Sequence, residues 1–236
     1  MPQLTSLRRE IKSLADPVRA KHSLRFFKTG PGEYGEGDKF LGLTVPQCRQ
    51  LARKYKDLSF PDITKLLHSE FHEERLIALL ILVHKFANRT DRGNTQISNF
   101  YLKNTRYINN WDLVDLSAPK IVGEYLLNKP LDILFKLAKS KSLWERRIAI
   151  LATFAFIYKG DPNPTLQLAE TLITDEADLI HKAVGWMLRE VGKRCSQKVL
   201  TDFLDRNYKS MPRTMLRYSI ERFPESLRLK YLTGQV

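Results

Sequence analysis

The chain of 236 residues carries 39 Lys and Arg against 26 Asp and Glu, which gives a formal net charge of +13 at pH 7. Its composition, 43% hydrophobic and 28% charged, is typical of a globular protein and excludes a largely disordered one. The excess positive charge indicates a polyanionic partner, with nucleic acid and an anionic membrane surface as the two candidates.

Most of the chain is predicted to be helical, because apolar residues recur at spacings of three and four while two-residue alternation is scarce. The spacing predicts helices over 3–14 and 16–28, and Asp16 and Pro17 are typical residues for the start of the second. Five of the eleven glycines fall within 29–43, which predicts one long loop. Helices separated by short loops are predicted from there to the C-terminus.

A similar helix recurs every 35 or 36 residues, beginning around Arg75, Trp111, Arg147, Lys182 and Arg217. A second helix is predicted between successive members, over 92–104, 130–140, 163–174 and 197–208. This period is typical of an α-solenoid, and HEAT-like repeats are preferred because the tetratricopeptide pattern is missing. We therefore expect an all-α solenoid of about five to six HEAT-like helix pairs with a concave basic groove. No change of composition marks a linker, so a single domain over 1–236 is expected.

Equivalent positions of a solenoid stack along one surface, so the register arranges five side chains in a row that is basic except for Trp111. A curved basic surface suits duplex DNA, whose phosphates accept Lys and Arg contacts without sequence readout. We interpret four members as DNA contacts: Arg75, Arg147, Lys182 and Arg217. An alternative is that they are solvated charges at helix ends.

Asp115 is unusual in this register. The equivalent positions of the other repeats hold Leu79, Leu151, Trp186 and Glu221, so three of the five residues are large and apolar. Residues i and i+4 share a helix face, so Trp111 and Asp115 point the same way. An acid beside an aromatic wall can act as a base or stabilise positive charge. The alternatives are a local cap or ion pair for Asp115 and core packing for Trp186.

Other kinds of site are not predicted. Cys48 and Cys195 are far apart, and neither they nor the five histidines have metal-ligand spacing, so no disulfide framework, metal or cofactor is expected. The 29–43 loop lacks a Walker motif and is interpreted as a connector.

The longest aliphatic run, 76–83, is shorter than the roughly 20 residues of a spanning helix. With no apolar signal-peptide core near the N-terminus, a cytoplasmic protein without a membrane partner is expected.

Four segments together resemble the AlkD-type DNA alkylation-repair glycosylases. They are Phe-Leu-Gly-Leu-Thr-Val-Pro at 40–46, Asn-Trp-Asp-Leu-Val-Asp at 110–115, Trp-Glu-Arg-Arg-Ile-Ala at 144–149 and Lys-Ala-Val-Gly-Trp-Met-Leu-Arg-Glu at 182–190. The likeness covers nearly the whole chain, and its specificity comes from several blocks agreeing in order.

The resemblance implies HEAT-like repeats around a DNA-binding groove and removal of positively charged N3- and N7-alkylated purines from duplex DNA, as in base excision repair. By position, Asp115 would be the catalytic carboxylate, Trp111 and Trp186 the aromatic walls, and Arg147 a phosphate contact. Arg189 is also expected to contact DNA. The implied enzyme is a monomer that needs no metal or redox cofactor, and it would be nucleoid-associated if bacterial.

The chain departs from the family pattern in four places. Asn110 stands where a second Trp is expected, Phe26 offers no hydroxyl, Thr44 replaces a Gln, and 30–38 is an insertion. Two further hypotheses therefore stay open. One is a non-catalytic HEAT-like protein that binds distorted or branched duplex DNA, and the other is a solenoid that binds an acidic protein.

Overall fold

The computed structural model describes residues 3–88 and 90–236. These residues form helices joined by turns, and the β pairing among them is one isolated bridge between Lys39 and Phe71. The all-α prediction is therefore confirmed. The contacts of the chain cluster into two compact units, Met1–Ser117 and Ala118–Val236. The single-domain expectation and the HEAT-like class of the repeats stay predictions.

The first unit is built from the helices that the apolar spacing predicts. They are α1 (Gln3–Ser13), α2 (Pro17–Phe26), α3 (Val45–Lys54), α4 (Phe60–Leu67), α5 (His72–Ala87), α6 (Asp91–Lys103) and α7 (Trp111–Ala118), whose last residue passes the boundary between the units. A single 3₁₀ turn, Thr105–Tyr107, precedes α7.

The second unit continues with a π-helical segment, Pro119–Gly123, and nine helices in its described residues. They are α8 (Glu124–Leu126), α9 (Asp132–Ala138), α10 (Leu143–Ala152), α11 (Phe154–Tyr158), α12 (Asn163–Thr171), α13 (Asp178–Arg194), α14 (Gln197–Asn207), α15 (Arg213–Ser219) and α16 (Glu225–Thr233). The intervening helices predicted from the repeat correspond to α9, α12 and α14 here and to α6 in the first unit.

Local capping fixes the starts of α2 and α3. The Asp16 carboxylate accepts a hydrogen bond from the Arg19 amide at 2.9 Å, and Pro17 occupies the first turn, as predicted. Thr44 forms a capping box with Gln47, in which each side chain bonds the other residue's amide. Thr44, one of the departures from the family pattern, thus has a structural role in ending the glycine-rich loop.

In the first unit, α5 packs against α3 and α4 and is buried at every residue from 72 to 82. Its first four residues are charged or titratable, so their polar groups need partners inside the protein. The Glu73 carboxylate supplies one set, because it accepts the amides of Leu41, Gly42 and Leu43 at 2.9, 2.7 and 3.2 Å. The end of the glycine-rich loop is thereby fixed to α5.

In the second unit, the helices that the register makes equivalent pack on one another. α13 contacts α10 and α15, while α12 and α14 also pack against α13. Gly185 permits the close approach to α15, because a Cβ there would lie 2.5 Å from the Met215 carbonyl oxygen and 2.5 Å from the Tyr218 Cβ. This stacking of equivalent helices is typical of a helical repeat.

The two cysteines are free thiols. Cys48 lies on α3 with no exposed surface, and burial raises its pKa well above the ordinary value. Cys195 is half-buried, with its pKa raised in the same direction by burial and by Asp161. Among the residues that the structure describes, no helix combines the length and the apolar character needed to cross a membrane.

Candidate nucleic-acid interface and catalytic acid

Helix α7 carries Trp111 and Asp115, two of the three predicted catalytic residues. Both side chains are partly exposed, whereas the three intervening residues are buried. Asp115 follows Trp111 by four residues, so the two lie on one face of the helix. The negative charge of Asp115 also acts on buried Tyr101, whose pKa is raised first by burial and further by this carboxylate. The acid is therefore placed at the border between the interior and the surface.

An aromatic cluster surrounds the Trp111 indole. Phe27 stacks on it with ring centroids 5.3 Å apart and planes inclined by 24°, and Phe26 meets its edge at 5.8 Å. Phe40 stacks on Phe27 at 5.0 Å and 15°. The indole is thus held by Phe26, the last residue of α2, and by Phe27, which follows it and is backed by Phe40 of the glycine-rich loop. Sequence reasoning assigned no site role to Phe27 or Phe40, since they are distant from Trp111 along the chain.

Beneath this cluster lies a buried polar network that sequence reasoning also missed. His72, 2% exposed, has Nδ1 3.2 Å from an Asp38 carboxylate oxygen and Nε2 2.8 Å from an Asp112 carboxylate oxygen. Asn110, fully buried, donates to Asp38 at 3.2 Å and accepts the Trp111 amide at 2.8 Å. Two departures from the family pattern, Asn110 and the 30–38 insertion, therefore contact each other.

The network has a definite charge state. Burial alone would lower the pKa of His72, but Asp112 and Asp38 outweigh it and raise the pKa to about 9. Burial acts in the opposite direction on Asp38 and would raise its pKa. His72, Arg75 and Asn110 outweigh burial and hold the pKa of Asp38 below its ordinary value. At neutral pH the network therefore holds a cationic His72 beside an anionic Asp38.

Arg75 does not lie on an exposed basic row. It is 4% exposed, and its guanidinium donates to Asp38 at 2.5 Å and to the Ser69 carbonyl at 3.0 Å. The predicted register makes Arg75 equivalent to the other positions of the row, but α5 directs its side chain inward. Because Asp38 offsets its charge inside the unit, we assign Arg75 to holding the fold and withdraw it as a DNA contact.

In the second unit, Trp186 is half-buried on α13 and packs against Phe154 with ring centroids 5.8 Å apart. The two expected aromatic walls thus belong to different units. Arg147 is 5% exposed, and its guanidinium donates to the Leu179 carbonyl at 2.5 Å. The row prediction of an exposed side chain is therefore wrong for Arg147 as it is for Arg75.

The remaining predicted cations lie at or near the surface of the second unit. Arg217 is exposed, and partly exposed Lys182 pairs with Asp178 at 2.8 Å. Partly exposed Arg189 pairs with Glu221 and approaches Glu190 at 3.7 Å. These pairs are weak enough at a surface for a phosphate to compete with them.

Helix α2 presents a second basic surface that the sequence reasoning did not identify. None of its residues is buried, and Phe26 is 65% exposed. The helix lines a cavity of about 900 Å³ with Pro17, Val18, Lys21, His22, Arg25 and Phe26. Cations interleaved with apolar side chains are a typical nucleic-acid surface, and this pattern in 17–26 was the available signal.

Within residues 3–88 and 90–236, no group of three or more His, Cys, Asp or Glu side chains is arranged to hold a metal ion.

Comparisons with known proteins identify the family and the fold of the chain. The family model described as DNA alkylation repair enzyme matches residues 7–223. A solved structure described as a predicted DNA alkylation repair enzyme from Enterococcus faecalis shares the fold, with a TM-score of 0.67 and 15% identity over 89% of this chain and 97% of that one. A search of curated proteins gave no match. The family match spans most of the sequence, and the chain belongs to the DNA alkylation repair enzyme family.

Proposed function

We propose that the protein is a DNA glycosylase that hydrolyses the N-glycosidic bond of positively charged N3- and N7-alkylated purines in duplex DNA. The observation that supports this most strongly is the position of Asp115, a half-buried acid one helical turn after half-buried Trp111. In a member of a DNA alkylation repair family with net charge +13, an acid at that place is suited to chemistry on DNA rather than to binding its phosphates.

The chemistry matches these two side chains. Alkylation at N3 or N7 makes the purine cationic and therefore a good leaving group. Its departure leaves an oxocarbenium-like sugar, whose positive charge a carboxylate such as Asp115 stabilises while orienting the attacking water. The Trp111 indole attracts the same positive charge through its π face. No step of this scheme depends on extracting the base into a deep pocket.

Binding to the duplex is assigned to cations in both units. Lys21 and Arg25 on the open surface of α2 are proposed contacts of the first unit. In the second unit the proposed contacts are Lys182, Arg189 and Arg217, which lie at or near its surface. Trp186 keeps its proposed role as an aromatic wall, and Arg147 is left out because, like Arg75, it is almost fully buried. Backbone contacts of this kind release counterions, so the affinity for duplex DNA should fall steeply as salt is added. An affinity that is insensitive to salt would contradict this assignment.

The test is release of 7-methylguanine or 3-methyladenine from methylated duplex DNA. We expect wild type to release base and Asp115→Asn to be slower by about a hundredfold or more, because one preorganised electrostatic contact is commonly worth that much. The affinity of this variant for duplex DNA should stay close to that of wild type. Asp57→Asn, which changes an exposed acid in the same unit, is the matched control and should be as active as wild type.

The non-catalytic hypothesis makes the opposite prediction. A protein that only binds distorted or branched DNA would release neither base, and Asp115→Asn would not differ from wild type in any assay. That result would refute the glycosylase proposal, while a protein with no affinity for DNA would refute both.

A further inference from the structure

The buried network beneath Trp111 joins three separate parts of the first unit. Asp38 comes from the glycine-rich loop, His72 begins α5, and Asp112 lies in the first turn of α7. The Asp112 carboxylate also accepts its neighbouring Leu113 amide at 2.9 Å. The imidazole is therefore a bridge between a long loop and the helix that carries Trp111 and Asp115.

The same imidazole supports the aromatic cluster from below. Its ring lies 4.7 Å from Phe40, nearly parallel, and 4.9 Å from Phe27. Phe27 in turn stacks on Trp111. A displacement of His72 would therefore reach Trp111 by two routes, through the backbone at the start of α7 and through the stacked rings.

We propose that His72, by bridging Asp38 and Asp112, is a positioning residue that fixes the start of α7 and the orientation of the Trp111 indole. The inference rests on the proposed glycosylase function for its kinetic consequence, but the structural part of it does not require that function. The glycine-rich loop, interpreted from sequence as a connector, then acts as a support for the site through Asp38.

Both bonds require a charged ring. A neutral imidazole donates from one nitrogen and accepts at the other, whereas an imidazolium donates from both, as two carboxylate partners demand. The charged and titratable groups around it are Asp38 from the loop, Asp112 from α7, Arg75 from α5 and, next to Asp112, the Cys48 thiol of α3. The two acids keep the ring protonated up to a pH of about 9. Above that pH one bond becomes a repulsive contact between lone pairs.

Two variants distinguish the loss of the His72 bridge from the loss of the positive charge on its imidazole. His72→Gln cannot span both acids, so the bridge is lost. Asp112→Asn keeps the shape and lets the new amide donate to a neutral Nε2, so the bridge survives without the imidazolium. Asp62→Asn, which changes a surface acid paired with Lys65, is the control.

The kinetic arm measures single-turnover release of 7-methylguanine at pH 7 with saturating protein. We expect His72→Gln to be about tenfold slower with an unchanged affinity for DNA, since small displacements of reacting groups have effects of this size or larger. Asp112→Asn, which keeps the bridge, should retain most of the wild-type rate. A His72→Gln rate equal to that of wild type would overturn the proposal, and so would a loss confined to DNA affinity.

The spectroscopic arm uses the full-length chain with Trp144→Phe and Trp186→Phe, which leaves Trp111 as its one tryptophan. We expect Trp111 emission to change in a transition near pH 9, and Asp112→Asn in this background to show no such transition. A chain that retains Trp144 alone is the control and should not respond. A flat Trp111 signal, or the same transition in Asp112→Asn, would overturn the proposal.

The two experiments distinguish a failure of the glycosylase proposal from a failure of the positioning role. If wild type releases no base but Trp111 responds as expected, the glycosylase proposal fails and the positioning role stands. If base is released normally by His72→Gln, the positioning role fails and the glycosylase proposal stands.

Discussion

The charge state of His72 predicts a pH-dependent contribution to the stability of the first unit. Its pKa is raised from the usual 6.5 to about 9 in the folded chain. Because the folded pKa is higher, the contribution is complete below about pH 6.5, declines as the pH rises and is lost above about pH 9. Each tenfold difference in proton affinity is worth about 1.4 kcal/mol, so this buried group contributes about 3 kcal/mol when protonated.

The assay is urea unfolding followed by Trp111 emission in the chain that lacks Trp144 and Trp186. Between about pH 6 and pH 9.5, the free energy of unfolding should fall by about 3 kcal/mol more with His72 present than in His72→Gln. The Cys48 thiol also resists ionisation when buried, but it contributes equally to both proteins and cancels. Parallel pH dependences in the two proteins would refute the reasoning that the two acids keep His72 charged.

Two glycine pairs give further tests of the packing. Gly42→Ala should cost on the order of 2 kcal/mol or more, because φ is +86° and its Cβ would overlap the Asp16 carbonyl. Gly37→Ala, with φ +83° and open space around it, should cost only about 1 kcal/mol, and equal urea midpoints would contradict this difference. Gly185→Ala should destabilise the second unit more than Gly192→Ala, since the first meets backbone and the second a flexible side chain. Calorimetry that ranks them in the reverse order would contradict the packing of α13 on α15.

The helices were predictable because their signals are local. Apolar spacing and the Asp16–Pro17 start are read within a few residues, and the resulting boundaries agree with the structure to within a few residues. The repeat register also located the helices that carry Trp111 and Trp186. Registers of this kind say which residues are equivalent, however, and not which way each one faces.

The burial of Arg75 and the network around His72 were not predictable for a related reason. Asp38 lies 34 residues before His72, and Asp112 lies 40 residues after it. No local spacing links such partners, and the loop that contributes Asp38 has the composition of a connector. A buried charge on α5 becomes tolerable only once these distant partners are in place. The exposed face of α2 was missed because helix spacing alone does not show that a helix lacks a covering layer.

The burial of the cysteines has a consequence for a protein that belongs to an alkylation repair family. A cysteine reacts with an alkylating agent as the nucleophilic thiolate, and the proportion of thiolate at a given pH falls as the pKa rises. Cys48 is inaccessible with a strongly raised pKa, and Cys195 is half-buried with its pKa raised too. The protein therefore presents a poor nucleophile at both positions, which suits it to remain intact in the presence of the reagents that damage DNA.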